Sequence, residues 1–328
     1  MRAAGPGLTH SYDYDALGRM VSDTGPQGTV SYRYGLAGRR SRTTYPEGFF
    51  VEYDYLHTGE TTAIRENGAT SGAGVLATFG YDQMGRRTSL TRGNGTVTNY
   101  SYDPVSRLTQ LTQNLAGDAD DLTLGFGYNP ASQIVSNTRS NDAYSFTGHV
   151  NENVTDNVNH LNQVTQTGTT GISYGLAGNV REIGPAAYAY TSENLMASAP
   201  GLTLAYDPLM RLYETNTGTS ATTRRFLYDG ANMIAEYDGD GVLKRRYVHG
   251  PGVDEPIAYY TSTATSSRRW LHADERGSII AVSDAAGAVA AVNRYDEYGN
   301  PQGGAITGRF GYTGQAWLPE LGMYYYRA

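Results

Sequence analysis

The sequence contains no cysteine. That removes disulfide staples, thiolate nucleophiles and cysteine-based zinc sites together, while leaving the redox compartment open. Long apolar runs are missing too. None approaches the ~20 residues that span a bilayer, and the opening MRAAGPGL is too short for a signal peptide. A soluble chain with no membrane span and no readable export signal is expected. Charge is sparse, at 17% of residues with a net −7. Lys and Arg are scattered, so no basic stripe exists to neutralise phosphates, and nucleic-acid binding is disfavoured. Histidines number six and show no H-x-x-x-H spacing, so zinc is not supported. No G-x-S-x-G elbow or P-loop is present. No cofactor is expected.

What the chain has instead is tyrosine and glycine. Across 328 residues there are 28 Tyr against 7 Phe, and 41 Gly. Tyr joins a large apolar ring to a polar tip and suits surfaces buried on one side only. Frequent Gly with Thr and Ser between short alternating runs indicates an all-β chain.

The tyrosines are ordered. YDYDALGRM at 12–20 returns as YRYGLAGRR at 32–40 and FGYDQMGRR at 79–87. Aligned on the second aromatic, the series runs Tyr14, Tyr34, Tyr55, Tyr81, Tyr102, Tyr128, Tyr174, Tyr190, Tyr206 and Tyr228, with a degenerate copy at 158–164. Spacings fall between 16 and 30 residues, so a fixed unit alternates with a variable connection. A large residue two positions before each anchor puts both side chains on one strand face. Asp15, Asp82, Asp103, Asn129, Asp207 and Asp229 follow the anchors and can each start an Asx turn. Gly18, Gly38, Gly85 and Gly178 supply the positive φ that closes such a turn with a bulge. Each unit therefore reads as a hairpin. Consecutive units make an antiparallel meander whose tyrosines form cross-strand ladders, and one long sheet that coils is expected rather than a two-layer sandwich. Arg19, Arg39, Arg86, Arg107 and Arg211 stand where they could cap neighbouring rings by cation–π contact.

These Y-D-x-x-G-R units resemble the YD repeats of the RHS (rearrangement hotspot) family, related to insecticidal toxin-complex C components and to teneurins. The stretches at 237–260, 270–289 and 293–301 look like the approach to the RHS-associated core, and GRFGYTGQAWLPELGMYYYRA at 308–328 looks like its start. The resemblance divides the chain into repeats over 1–213 and later repeats leading into that core over 214–328, within one continuous β structure. It implies a long antiparallel meander of YD-repeat hairpins coiled into a spiral β-shell, or part of one, enclosing a linked C-terminal toxin or a bound polypeptide. It also implies a secreted or cell-surface bacterial protein. Family members that cleave themselves carry paired D-P-x-G segments. Here Asp103–Pro104 and Asp207–Pro208 sit in repeat turns and match neither, so autoproteolysis does not carry over.

Other candidates weigh less. DGDG at 238–241 invites a calcium loop, but the twelfth position is His249 rather than Glu, and a hairpin turn is the better reading. Asp118, Asp120 and Asp121 form a denser cluster that is a weak cation-binding candidate in a solvated loop. HADERG at 272–277 groups an imidazole with Asp274, Glu275 and Arg276, which would need to converge in a cleft to do acid–base work. The overall expectation is a non-enzymatic scaffold. Its partners are a linked or bound polypeptide, or neighbouring subunits through sheet edges. Glycans are the alternative ligand, through an adhesion module of stacked tyrosines, and a fragment of an autoproteolytic core is the weaker alternative.

Overall fold

The structure, a computed structural model, describes residues 2–5 and 8–327. Strands follow one another along the chain, and within each sheet each pairs antiparallel with the next. They form a 13-stranded first sheet from Arg2–Gly5 to Ile134–Arg139, a 5-stranded middle sheet from Asp156–Val158 to Ala186–Ala187, and an 11-stranded third sheet from Ala189–Tyr190 to Val289–Val292. A two-stranded ribbon, Ala316–Leu318 with Met323–Tyr325, closes the series. Among the described residues the helical segments are single 3-10 turns.

The strands form because apolar and polar residues alternate at period two. In Leu122–Tyr128, Leu122, Leu124 and Phe126 are buried while Thr123 and Gly125 are not, the pattern of a sheet with one face inward. All ten anchor tyrosines share one further feature. The register of each hairpin slips by one residue between the anchor and the residue before it. The degenerate copy does the same at Val158. A β-bulge bends its strand and increases the local right-handed twist, so a bulge in every unit makes the ribbon coil.

The turns keep positive φ where glycine is present, as at Gly18 (75°) and Gly85 (73°). They also keep it without glycine. Ser106, Ser132, Asn162, Asn194 and Met210 occupy the same turn position at φ 60–72°. The turn conformation is thus imposed by the whole unit rather than by glycine alone. Met210, at φ 61°, carries a Cβ where an L-residue loses roughly 1–2 kcal/mol. Met210→Gly is expected to raise stability by about 0.5–1 kcal/mol after the entropic cost of glycine is subtracted, read from the urea midpoint.

The layering differs from a single coiled sheet. The third sheet lies between two partners. On one side Leu227, Ile234, Val248, Ile257 and Tyr260 share a core with Val30, Val51, Ile64, Leu76, Phe79 and Leu90 of the first sheet. On the other, Tyr228, Met233, Tyr247, Tyr259 and Leu271 pack with Phe310, Ala316 and Leu318 of the C-terminal segment. Strands Pro256–Tyr260 and Ile279–Ser283 are accordingly buried at every position. The meander coils back onto itself, because aromatic and aliphatic faces this large are buried only by another layer. The middle sheet stands apart, and no residue from 145 to 198 is buried.

Candidate functional site: the repeat clamp and the seam

At four of the turns the repeat residues assemble a clamp that joins one hairpin to the next. Asp15 Oδ1 accepts from the backbone N–H groups of Leu17 and Arg19 (2.9 and 3.0 Å), while Oδ2 accepts from Arg19 Nε (2.7 Å). Asp82, Asp103 and Asp207 repeat this geometry with Arg86, Arg107 and Arg211. The arginine, fixed by its own turn, then lies over the next anchor ring. Arg19 sits 4.7 Å from the Tyr34 centroid, Arg86 4.8 Å from Tyr102, Arg107 4.7 Å from Tyr128 and Arg211 4.9 Å from Tyr228. Arg39, whose turn has Gly35 in place of the aspartate, is held instead by the carbonyls of Leu56 and His57 and lies 5.7 Å from Tyr55.

The anchors answer in the opposite direction. The hydroxyls of Tyr34, Tyr55, Tyr81, Tyr102, Tyr128, Tyr174, Tyr206 and Tyr228 each donate to a backbone carbonyl just past the preceding turn, at 2.7–2.9 Å. Each such bond adds about 1 kcal/mol, and at Tyr34, Tyr55, Tyr102, Tyr128 and Tyr228 an arginine supplies a further contact with the ring. The tyrosines are therefore wedged between units with their hydroxyls on protein backbone.

Asp229 departs from the pattern. Its hairpin closes after two residues, with Asp229 opposite Asn232, so there is no longer turn for its carboxylate to cap. It pairs instead with Arg40 of the first sheet at 2.5 Å.

That pair belongs to a seam between the first and third sheets, made by residues 150–210 apart in sequence. Tyr45 donates its hydroxyl to the Tyr247 carbonyl (2.6 Å), and Trp270 Nε1 donates to the Leu76 carbonyl (3.2 Å). Arg92 Nε and Gln113 Nε2 reach the carbonyls of Leu271 and Ala273 (2.9 and 2.7 Å). Arg87 holds Glu255, and Arg268 together with Tyr260 holds the buried Glu66. A matching ion pair fastens the C-terminal segment. Arg309 meets both oxygens of Glu236 at 2.7 Å and donates to the Trp317 carbonyl at 2.7 Å.

Burial alone would raise the Glu236 carboxyl, but Arg309 reverses this and holds it at about 2, below its ordinary 4.5. A depressed folded-state value contributes stability above pH 4.5 that is lost as pH falls toward 2. The shift corresponds to roughly 3 kcal/mol. Acid titration followed by circular dichroism is expected to show unfolding in this window, and Glu236→Gln should flatten that part of the profile.

The remaining candidates do not converge. Asp121 Oδ1 accepts from Leu115 N–H at 2.8 Å, and the Asp120 backbone carbonyl accepts from the Tyr144 hydroxyl. No group of three or more acidic or histidine side chains among the described residues, Asp118 included, is placed to hold a cation. Asp238 caps its own turn through Asp240 and Val242 N–H. His272 is buried against Ser283 Oγ (2.8 Å), whereas Asp274 caps the turn at Arg276 and Ser278, so the HADERG side chains serve separate structural roles. The buried ions Glu66, Glu236, Arg268 and Arg309 escaped the sequence reading. A lone acid in the apolar run Met233–Tyr237 was the available signal.

The profile of the RHS Repeat family matches residues 9–49. Among curated proteins, the tRNA3(Ser)-specific nuclease WapA of Bacillus spizizenii is 26% identical over 182 residues, covering 52% of this chain and 8% of that protein. The tRNA nuclease WapA of Bacillus subtilis is 25% identical over the same length and shares. Among solved structures, the TcdB2-TccC3-TEV crystal structure superposes at a TM-score of 0.57 with 14% identity, over 99% of this chain and 22% of that one. The Photorhabdus luminescens Tc holotoxin pore does so at 0.54 and 15%, over 97% and 21%. The chain thus spans under a tenth of those curated relatives and about a fifth of those solved chains.

Proposed function

Because the chain belongs to the RHS-repeat (YD-repeat) proteins, we propose that it is a non-enzymatic segment of shell wall that encloses or presents a linked or bound polypeptide. The observation carrying this reading is the bulge and clamp repeated at successive anchors. The clamp spends the motif's charges and hydroxyls on joining hairpins, and the bulge bends the ribbon. In this reading residues 1–213 form wall and 214–328 lead toward the sealing core. The protein is a bacterial one that works outside the cell or at its surface.

Tyrosine hydroxyls bound to backbone weigh against a flat glycan-stacking platform and hence against the adhesion alternative. The test is protection. With the chain present, an unfolded polypeptide such as reduced, carboxymethylated α-lactalbumin should co-purify and resist trypsin. Failure to co-purify, with unchanged digestion, would refute the proposal. The purified chain should also keep its intact mass on incubation.

Partners through sheet edges have a definite place in this reading. Strand Ile134–Arg139 ends the first sheet, pairs among the described residues only with Leu122–Tyr128, and is exposed at all six positions. Such an edge invites strand addition. Light scattering should show concentration-dependent association that Val135→Lys suppresses. A strictly monomeric wild type would remove the edge from the list of contacts.

A further inference from the structure

Between the first sheet and the middle one the chain runs over the surface. Residues 146–155 carry no regular structure, and every residue from 147 to 158 is exposed. Val150 to Val154 make no hydrogen bond among the described residues, so their backbone N–H and C=O groups are paired by water alone.

Both ends of this span are held. Upstream, the Thr147 backbone N–H donates to Gln302 Oε1 (3.2 Å), and Gln302 Nε2 donates to Thr147 Oγ1 (3.0 Å). Arg294 Nε donates to the Ala143 carbonyl on the same side. Downstream, the Gly168 N–H donates to the Thr155 carbonyl (3.0 Å), where strand Asp156–Val158 begins its pairing. The segment is thus an open span between fixed points.

Such a span is what an endopeptidase needs. An extended peptide is bound through its backbone N–H and C=O groups, and exposed loops without internal hydrogen bonds are where chains are nicked. The side chains decide which enzyme. No Lys or Arg occurs between Arg139 and Arg181, so an enzyme that requires a cationic side chain has no site here. Glu152 is the one acidic or basic side chain from Val150 to Thr155. The other glutamates lie in paired strands or in turns closed by backbone hydrogen bonds.

We propose that the Glu152–Asn153 bond is a processing site for a glutamate-specific endopeptidase, and that the cut chain stays assembled. Water adds across the peptide bond, leaving a carboxylate on Glu152 and an amine on Asn153. One fragment then holds the first sheet, and the other holds the middle and third sheets with the C-terminal ribbon. The seam joins one fragment to the other. Tyr45 with the Tyr247 carbonyl, Arg92 with the Leu271 carbonyl and Glu66 with Arg268 all cross between them, as does the shared apolar core. The site does not depend on what the wall encloses.

Limited digestion of the purified chain with a glutamate-specific endopeptidase, read by intact mass and size-exclusion chromatography, tests this. The first products are expected to be residues 1–152 and 153–328, eluting together with the uncut chain and parting only in denaturant. Glu152→Gln, at an exposed position, should keep the circular dichroism spectrum and slow the first cut by about tenfold or more. Unfolded in urea, the same chain should be cut at its glutamates without this preference. A first cut elsewhere, or fragments that separate without denaturant, would overturn the proposal. So would an undiminished rate in the folded Glu152→Gln variant, or the same order of cuts in native and unfolded chains.

Discussion

Replacing Glu236 with alanine is expected to cost about 3–5 kcal/mol of stability, the usual result of leaving one ion of a buried pair without its counter-charge. Glu236 is 1% and Arg309 5% exposed at the side chain. Arg309 would then sit in the core with the Trp317 carbonyl and the Phe226 ring as partners but no counter-charge, and the segment carrying Phe310, Ala316 and Leu318 would lose its ionic anchor. The argument is about the orphaned charge rather than the bond itself. Glu236→Met combined with Arg309→Met should therefore recover most of the loss. Urea denaturation of the two single variants and the pair decides it. If the pair is as unstable as the singles add up to, the two residues are not coupled and the account is wrong.

The second large effect comes from comparing two copies of one motif. Asp207 and Asp15 make the same bonds to their turns and arginines. Yet the Asp207 and Arg211 side chains are 3% and 11% exposed, against 23% and 29% for Asp15 and Arg19. Asp207 also lies 3.7 Å from His10, which in turn contacts Asp23 at 2.8 Å and so bridges the two layers. Asp207→Ala should cost about 3 kcal/mol, because Arg211 and two backbone N–H groups lose their acceptor away from water. Asp15→Ala leaves groups that water can reach and should cost far less. Equal losses in thermal or urea unfolding would show that layer packing does not matter to the clamp.

The unit was legible in the sequence because its contacts are local. Tyr102, Asp103 and Arg107 lie within six residues, and spacing alone places the ring, the turn and the guanidinium. What joins the layers was not legible. Tyr45 and Tyr247, or Glu66 and Arg268, stand about two hundred residues apart, and nothing in either neighbourhood specifies the other. Asp229 shows where the two scales conflict. Its YD signature reads like the others, but one shorter turn releases the carboxylate to an arginine in another sheet. Met210 and Ser106 show the reverse, since the unit holds a glycine conformation after the glycine is gone.

The bulge beside every anchor determines how such a ribbon can change length. Curvature is introduced separately in each hairpin, and attachment to the preceding one is made by the anchor tyrosine's hydroxyl, reinforced at four turns by an aspartate and an arginine. A hairpin added or deleted whole keeps the contacts between neighbouring hairpins of the same kind, while the connections vary in length; the pairs across the seam, such as Arg40 with Asp229, would have to be re-matched. The length of the coiled ribbon is in effect counted in tyrosines, and duplication or loss of single units would lengthen or shorten it without redesign of the unit.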